Sequence, residues 1–192
     1  MGQSALNDTD RRTLLRVAAD SIAEGLGHGQ PLAVDPAKCG AALQAIRATF
    51  VTLKINAQLR GCIGTLTASR PLIADVAANA FAAAFRDPRF GPVTLGEQVL
   101  LQIHISILSP SASMTFTSEQ DLLAQIRPGI DGLILEDGQH RGTFLPSVWE
   151  SLPDAPTFLR HLKRKAGLPE DYWSATLKVS RYTAESIDAD SI

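Results

Sequence analysis

The chain has 192 residues, 45% of them hydrophobic and 20% charged, and a formal charge of −2 at pH 7. This length and composition allow a buried core without disulfides, and the small negative charge argues against nucleic acid as a partner. The two cysteines and four histidines lack the spacing of metal ligands, so we expect no metal and no cofactor.

The amino terminus shows no sign of a targeting segment. Residues 1–10 are polar and acidic, without the apolar stretch of a signal peptide. No apolar run approaches the roughly 20 residues that a membrane span requires. We therefore expect a cytoplasmic protein with reduced thiols and no membrane partner.

The first half of the chain predicts a helix, a β-hairpin and a second helix. The first helix begins at Asp8 or Thr9 and ends among glycines 25, 27 and 29. Its apolar face repeats every four residues, at Leu14, Ala18, Ile22 and Leu26. Period-two patterning predicts strands over 50–55 and 59–66. Ser69 is the expected cap of the second helix.

The second half begins with a predicted strand over 99–108. Its apolar face is formed by alternate residues, Val99, Leu101, Ile103, Ile105 and Ile107. Helices capped by Ser118 and Asp154, a hairpin turning at Asp137-Gly138 and a final strand over 176–182 follow. Because hairpins link most neighbouring strands, the sequence predicts an α+β fold with a mixed, mainly antiparallel sheet and flanking helices.

The second predicted strand contains a candidate site, Leu59-Arg60-Gly61-Cys62-Ile63-Gly64. Strand alternation directs Leu59 and Ile63 toward the core and places Arg60 and Cys62 on the opposite face. A guanidinium beside a thiol favours the thiolate, which is the nucleophilic form. Cys62 is therefore the candidate catalytic residue.

Glycines flank the sulfur in this segment. Gly61 and Gly64 remove side chains beside Cys62 and leave room for a ligand, and Thr65 offers one further hydroxyl. The same pattern also fits a buried structural cysteine in a glycine-kinked strand. The residues alone leave both interpretations open.

Other candidates have a functional and a structural interpretation. Arg86 and Arg89 suit an anionic substrate or partner, or else pair with the intervening aspartate and fix the helix exit. His104 suits a base for Cys62 if their strands adjoin, or a satisfied sheet histidine. Residues 160–165 form the one basic cluster, which suits an anion or the carboxyl end of a helix.

Several segments together resemble the AMME chromosomal-region domain family, whose bacterial and archaeal members are called AmmeMemoRadiSam system protein A. The similar segments follow the family's order: Val51-Thr52-Leu53-Lys54, residues 59–66, Arg70-Pro71-Leu72-Ile73, Ala84-Phe85-Arg86-Asp87-Pro88-Arg89-Phe90, Ile105-Ser106-Ile107-Leu108-Ser109-Pro110, Gly142-Thr143-Phe144-Leu145-Pro146 and Lys165-Ala166-Gly167-Leu168. The resemblance covers residues 10–185.

The resemblance implies one domain over residues 8–186, with a larger mixed-sheet lobe, a smaller lobe and the cysteine motif in a cleft. It also ranks Lys165 above the other cations of its cluster, whereas His104 departs from the acidic residue expected in relatives. Memo-type and radical S-adenosylmethionine proteins are the implied partners. The chain lacks the Cys-x-x-x-Cys-x-x-Cys run that would hold the cluster of such a radical enzyme.

Two functional hypotheses follow. In the first, the protein is a binding component whose Arg60 face, with its glycines and Thr65, recognises a partner, a small molecule or a modified group. In the second, it is an enzyme that uses Cys62 as nucleophile or redox thiol, with Arg60 stabilising the thiolate or an anionic substrate and Arg86 or Arg89 aiding binding. Lys165 is a further candidate for binding a ligand. A nucleic-acid role ranks third because no aromatic stacking platform accompanies the basic cluster.

Overall fold

The computed structural model describes residues 6–189, so part of the segment used to exclude a targeting sequence lies outside the described residues. The helices are α1 (Asp8–His28), α2 (Ala41–Gln44), α3 (Leu72–Phe85), α4 (Leu95–Gln98), α5 (Glu119–Gln125) and α6 (Ala155–Lys165). The strands are β1 (Thr49–Ile55), β2 (Gln58–Gly64), β3 (Gln102–Leu108), β4 (Ala112–Ser113), β5 (Gly132–Asp137), β6 (His140–Phe144), β7 (Lys178–Tyr182) and β8 (Ala184–Ile187). They form two four-stranded antiparallel sheets, which confirms the predicted α+β class.

The chain divides into two compact units. The larger contains the described residues up to Leu108 and from Glu185 onward, and the smaller is Ser109–Ala184. No helix within residues 6–189 combines the length and hydropathy of a membrane span. The assignment of one domain to 8–186 stays a prediction.

In the larger unit the sheet has the order β2-β1-β3-β8. Helices α1 and α3 pack against one face of it, where the strands contribute Val51, Leu53, Ile105, Ile107 and Ile187 to the core. The turn between β1 and β2 consists of Asn56 and Ala57, which have φ values of 50° and 63°. Two consecutive positive φ values are those of a type I′ hairpin turn, so β1 and β2 pair tightly.

Three local predictions in this unit are wrong. The cap of α1 is Asn7, whose side chain accepts from the Asp10 amide at 2.9 Å. The N-cap of α3 is Pro71, not Ser69, and no side chain caps this helix. Val99 is 84% exposed rather than part of a strand. Thr94 and Glu97 form a capping box that stabilises α4 directly before Val99, and β3 begins only at Gln102.

The smaller unit has a sheet of order β4-β7-β5-β6 with α5 and α6 beside it. Its core is aromatic, with Trp149 stacked on Phe158 at 3.7 Å between ring centroids. Lys163 is fully buried in α6, and its ammonium donates to Glu119 at 2.8 Å. Asp154 caps α6 as predicted.

Candidate functional site

The cysteine motif lies on β2, which is the edge strand of the first sheet. A register shift interrupts its pairing with β1: Leu53 lies opposite Gly61 and Lys54 lies opposite Leu59, which leaves Arg60 as an extra residue. Such a β-bulge reverses the alternation of the residues that precede it. Leu59 therefore shares the face of Lys54 and is 42% exposed, so the prediction that it points into the core is wrong.

Arg60 is tied to the segment that leads into α4. Its guanidinium contacts Glu97 through two hydrogen bonds of 2.7 and 3.1 Å and donates to the carbonyls of Gly91 and Pro92. This contact lowers the pKa of Glu97 from 4.5 to about 2 and raises the pKa of Arg60. The predicted role of Arg60 beside a thiolate is not what the structure shows, because its charge is neutralised by Glu97.

Asp87 and Arg89 hold the outer edge of β2 at Cys62. The Asp87 side chain, which is 2% exposed, accepts from the Cys62 amide at 2.9 Å. Arg89 binds both Asp87 oxygens and also donates to the Cys62 carbonyl at 3.4 Å. The hydrogen bonds from Arg89 hold the pKa of Asp87 far below its usual range, although burial opposes them. These contacts are those of the structural interpretation, in which Asp87 pairs with an arginine. A role of Arg86 and Arg89 in binding an anion stays a prediction.

The two glycines of the motif are required by packing rather than left open for a ligand. A Cβ on Gly61 would lie 2.1 Å from the carbonyl oxygen of Ala83 in α3. A Cβ on Gly64 would lie 2.3 Å from the Phe50 ring. The space beside each glycine is therefore filled, by the backbone of α3 at Gly61 and by the Phe50 ring at Gly64.

Cys62 itself faces away from the helices. Here we define the polar face as the sheet face opposite α1 and α3, with these residues: Phe50, Thr52, Lys54, Leu59, Cys62, Gly64, Gln102, His104 and Ser106. Its middle row crosses three strands, from Cys62 to Thr52 to His104. The Cys62 sulfur lies 3.2 Å from the Thr52 hydroxyl. Both residues are half-buried.

The row ends in an ion pair, because His104 Nδ1 lies 3.2 Å from the Asp188 carboxylate. The strands of His104 and Cys62 do not adjoin, since β1 lies between them, so the condition for His104 to act as a base for Cys62 is not met. Within residues 6–189 no histidine or carboxylate side chain hydrogen-bonds the sulfur. In the same residues, no group of three or more His, Cys, Asp and Glu side chains is placed to hold a metal ion.

The remaining predicted residues are dispersed. The Thr65 hydroxyl is buried and has no hydrogen-bond partner among residues 6–189. Arg86 is exposed beyond α3, with its guanidinium 5.0 Å from the centroid of the Phe81 ring. Lys165 belongs to the smaller unit, where its ammonium lies 5.0 Å from the centroid of the Phe144 ring.

The basic cluster over 160–165 is built into the smaller unit. Arg160 donates to the hydroxyl of Thr157, and Arg164 pairs with Glu170 at 3.2 Å. Lys163 is the buried partner of Glu119. These contacts support the structural interpretation of the cluster as a helix end with paired cations.

Three residues that organise the motif were not predicted from the sequence. Thr52 was detectable, since the same alternation that buries Val51 and Leu53 places it on the face of Cys62. Glu97 and Asp188 were not, because each reaches the sheet from a distant part of the chain. No local pattern records such a contact.

These features define a class: an α+β protein of two compact units, with a cysteine and two glycines on the edge strand of its first sheet. The family model AMMECR1 matches residues 15–187, and the chain belongs to this family. The resemblance drawn from the motifs is thereby confirmed.

Relatives of similar length extend this assignment. A protein of Methanothermobacter thermautotrophicus is 35% identical over 196 residues, covering 99% of this chain and all of the relative. Protein MJ0810 of Methanocaldococcus jannaschii is 40% identical over 147 residues, 72% of this chain and 71% of its own length. The crystal structure of uncharacterized protein PH0010 from Pyrococcus horikoshii has a TM-score of 0.86 at 35% identity, covering 94% of this chain and 92% of that one.

Proposed function

We propose that the protein is a non-catalytic binding component of the cytoplasm that works with Memo-type and radical S-adenosylmethionine proteins. In this proposal the polar face binds a partner, or a small group that the partner carries. The cysteine motif then serves to shape this surface. The proposal rests on family membership for the partners and on the geometry of β2 for the surface.

One observation supports a binding role above the others. Both arginines near Cys62 form ion pairs with carboxylates of the same unit, Arg60 with Glu97 and Arg89 with Asp87. A cysteine nucleophile needs a base or an uncompensated cation to form its thiolate. Here the cations stabilise the edge of the sheet, and the hydrogen bond of the sulfur among the described side chains is with the Thr52 hydroxyl.

The test measures affinity for the Memo-type protein of the same organism. Thr52→Lys and Ser106→Lys each place a charge on the polar face, and we expect at least a tenfold loss of affinity from a buried unpaired charge. Thr9→Lys lies on α1, on the other side of the sheet, and is the matched control. Cys62→Ala should retain binding.

Circular dichroism verifies that each variant is folded before its affinity is compared. If folded Thr52→Lys and Ser106→Lys both bind as tightly as Thr9→Lys, the polar face is not the binding surface. Loss of binding in Cys62→Ala alone would instead assign the role to the sulfur.

The alternative is a cysteine-dependent enzyme, and one observation favours it. Cys62 is half-buried rather than sealed in the core, and its sulfur contacts a hydroxyl that can pass a proton. The chain contains its own reference, since Cys39 is also half-buried and its sulfur hydrogen-bonds only a backbone carbonyl, that of Asp35 at 3.6 Å. An enzyme requires Cys62 to be alkylated by iodoacetamide at least tenfold faster than Cys39. If the protein is a binding component, iodoacetamide should alkylate Cys62 in the Cys39→Ser variant and Cys39 in the Cys62→Ser variant at comparable rates.

A further inference from the structure

A cavity of about 380 Å³ opens at the beginning of β3 in the larger unit. Its apolar wall is formed by Leu15, Leu101 and Ile103, and its polar wall includes Lys54 and Gln102. This volume lies in the range of small-molecule sites, which combine an apolar lining with a few polar groups.

A second cavity of about 380 Å³ lies next to the first, because Leu101 and Ile103 belong to the walls of both. The other side chains of its wall include Ala19 and Ile22 from α1 and the exposed Val99. Together the two cavities form a groove between α1 and the segment that enters β3. The groove is polar at one end and apolar at the other.

The polar groups that remain available at the polar end are donors. No carboxylate within residues 6–189 contacts the Lys54 ammonium. The Gln102 carbonyl oxygen accepts from the Ala57 amide at 3.4 Å, which leaves its amide nitrogen to donate. Asp188 and His104 also line this end of the cavity, and they pair with each other at 3.2 Å. A ligand that completes these contacts must therefore bring acceptor oxygens.

We propose that this groove binds an aliphatic carboxylate, with the carboxylate at Lys54 and Gln102 and the chain along Leu101 and Ile103 toward α1. A carboxylate accepts from both donors at once, and a charge-assisted hydrogen bond is about twice as strong as a neutral one. The chain gains free energy by removing apolar surface of both partners from water. Lys54 and Gln102 also belong to the polar face, so the carboxylate end of this site adjoins the surface of the proposed function. The apolar end lies at Leu101 and Ile103 toward α1.

Decanoate is the probe, titrated below its micelle concentration into the full chain by calorimetry. We expect one molecule per chain, and a loss of affinity of at least about tenfold in Lys54→Met, since that variant removes a charge-assisted hydrogen bond. Lys54→Arg should retain affinity. Lys38→Met removes an exposed lysine outside the groove and is the matched control.

The apolar half of the groove is tested by Ala19→Trp, because Ala19 is exposed and lines the second cavity. It should weaken decanoate but leave the binding of butanoate unchanged. Ala23→Trp, one turn further along α1 and also exposed, is its control. Equal affinity of decanoate for wild type, Lys54→Met and Ala19→Trp overturns the proposal, as does absence of binding at about 1 mM, the weak end of ligand affinities.

The proposed function can fail independently of this inference. Cys62→Ala and Ser106→Lys lie outside the groove and should bind decanoate as wild type does. A variant that loses affinity for the partner but binds decanoate normally identifies an effect on the polar face alone. A variant that loses affinity for decanoate but binds the partner normally identifies an effect on the groove alone.

Discussion

Replacing Gly61 with alanine should destabilise the larger unit, because the added methyl group has no space between β2 and α3. The added Cβ would lie 2.1 Å from the Ala83 carbonyl oxygen, more than 1 Å short of the 3.4 Å at which ordinary contact begins. The atom it meets belongs to the backbone of α3, so no rotamer change relieves the clash. Strand β2 or helix α3 must move instead.

The expected loss follows from the cost of overpacking. Added methyl groups in a packed core cost about 1–3 kcal/mol, and we expect about 3 kcal/mol because the clash is with backbone. For a chain of 192 residues, this corresponds to a midpoint of thermal unfolding lower by roughly 6–12 °C. Movement of β2 would also lengthen the hydrogen bond from Cys62 to Asp87.

Thermal unfolding followed by far-ultraviolet circular dichroism is the assay, because α1 and α3 lie in the larger unit whereas both tryptophans lie in the smaller one. Gly27→Ala is the matched control, since a Cβ there meets nothing within 4 Å. It should leave stability unchanged or raise it by up to about 1 kcal/mol. A midpoint of Gly61→Ala within about one degree of wild type would refute the packing argument.

Three further predictions concern charged and buried polar groups. Asp87→Asn should lower the free energy of unfolding by about 2 kcal/mol at pH 7. Because the pKa of Asp87 is lower in the folded than in the unfolded protein, the stability difference between wild type and the variant should shrink as the pH falls below about 4, measured by urea titration. Lys163→Ala should cost about 3 kcal/mol, because it leaves a cavity where the fully buried side chain packs and removes its hydrogen bond to Glu119. Unfolding followed by tryptophan fluorescence should occur at lower temperature in this variant, but not in the exposed Lys178→Ala. Burial raises the pKa of Tyr182 from 10.0 to about 12, so stability should fall over that pH interval in wild type and less in Tyr182→Phe, measured by urea titration.

The sequence predicts most of the helices and hairpins because their signals are local. The four-residue repeat of α1 buries Leu14, Ala18 and Ile22 as expected, and Asp154 caps α6. The alanine-rich face of α3 packs closely, and that close packing is what requires Gly61. Periodicity and capping thus suffice wherever a segment's neighbours in the chain decide its conformation.

The candidate site is predicted less well, since its geometry depends on contacts across the chain. The bulge at Arg60 cannot be read from alternation, which assumes an uninterrupted ladder and so directs Leu59 to the wrong face. Residues 99–101 alternate like a strand, yet the capping box at Thr94 and Glu97 favours a short helix, α4, directly before them. Glu97 then pairs with Arg60, so the guanidinium that was expected to favour the Cys62 thiolate is bound to a carboxylate.

The contacts of Asp87 and Arg89 with the backbone of Cys62 also affect whether a strand of another chain can pair with β2 at this residue. An edge strand with free amide and carbonyl groups recruits further strands and so promotes aggregation. At Cys62 the amide donates to Asp87 and the carbonyl accepts from Arg89, so an incoming strand finds neither group free. Strand addition is thereby blocked at Cys62, and a partner that approaches β2 there meets the side chains of Asp87 and Arg89 rather than free backbone groups.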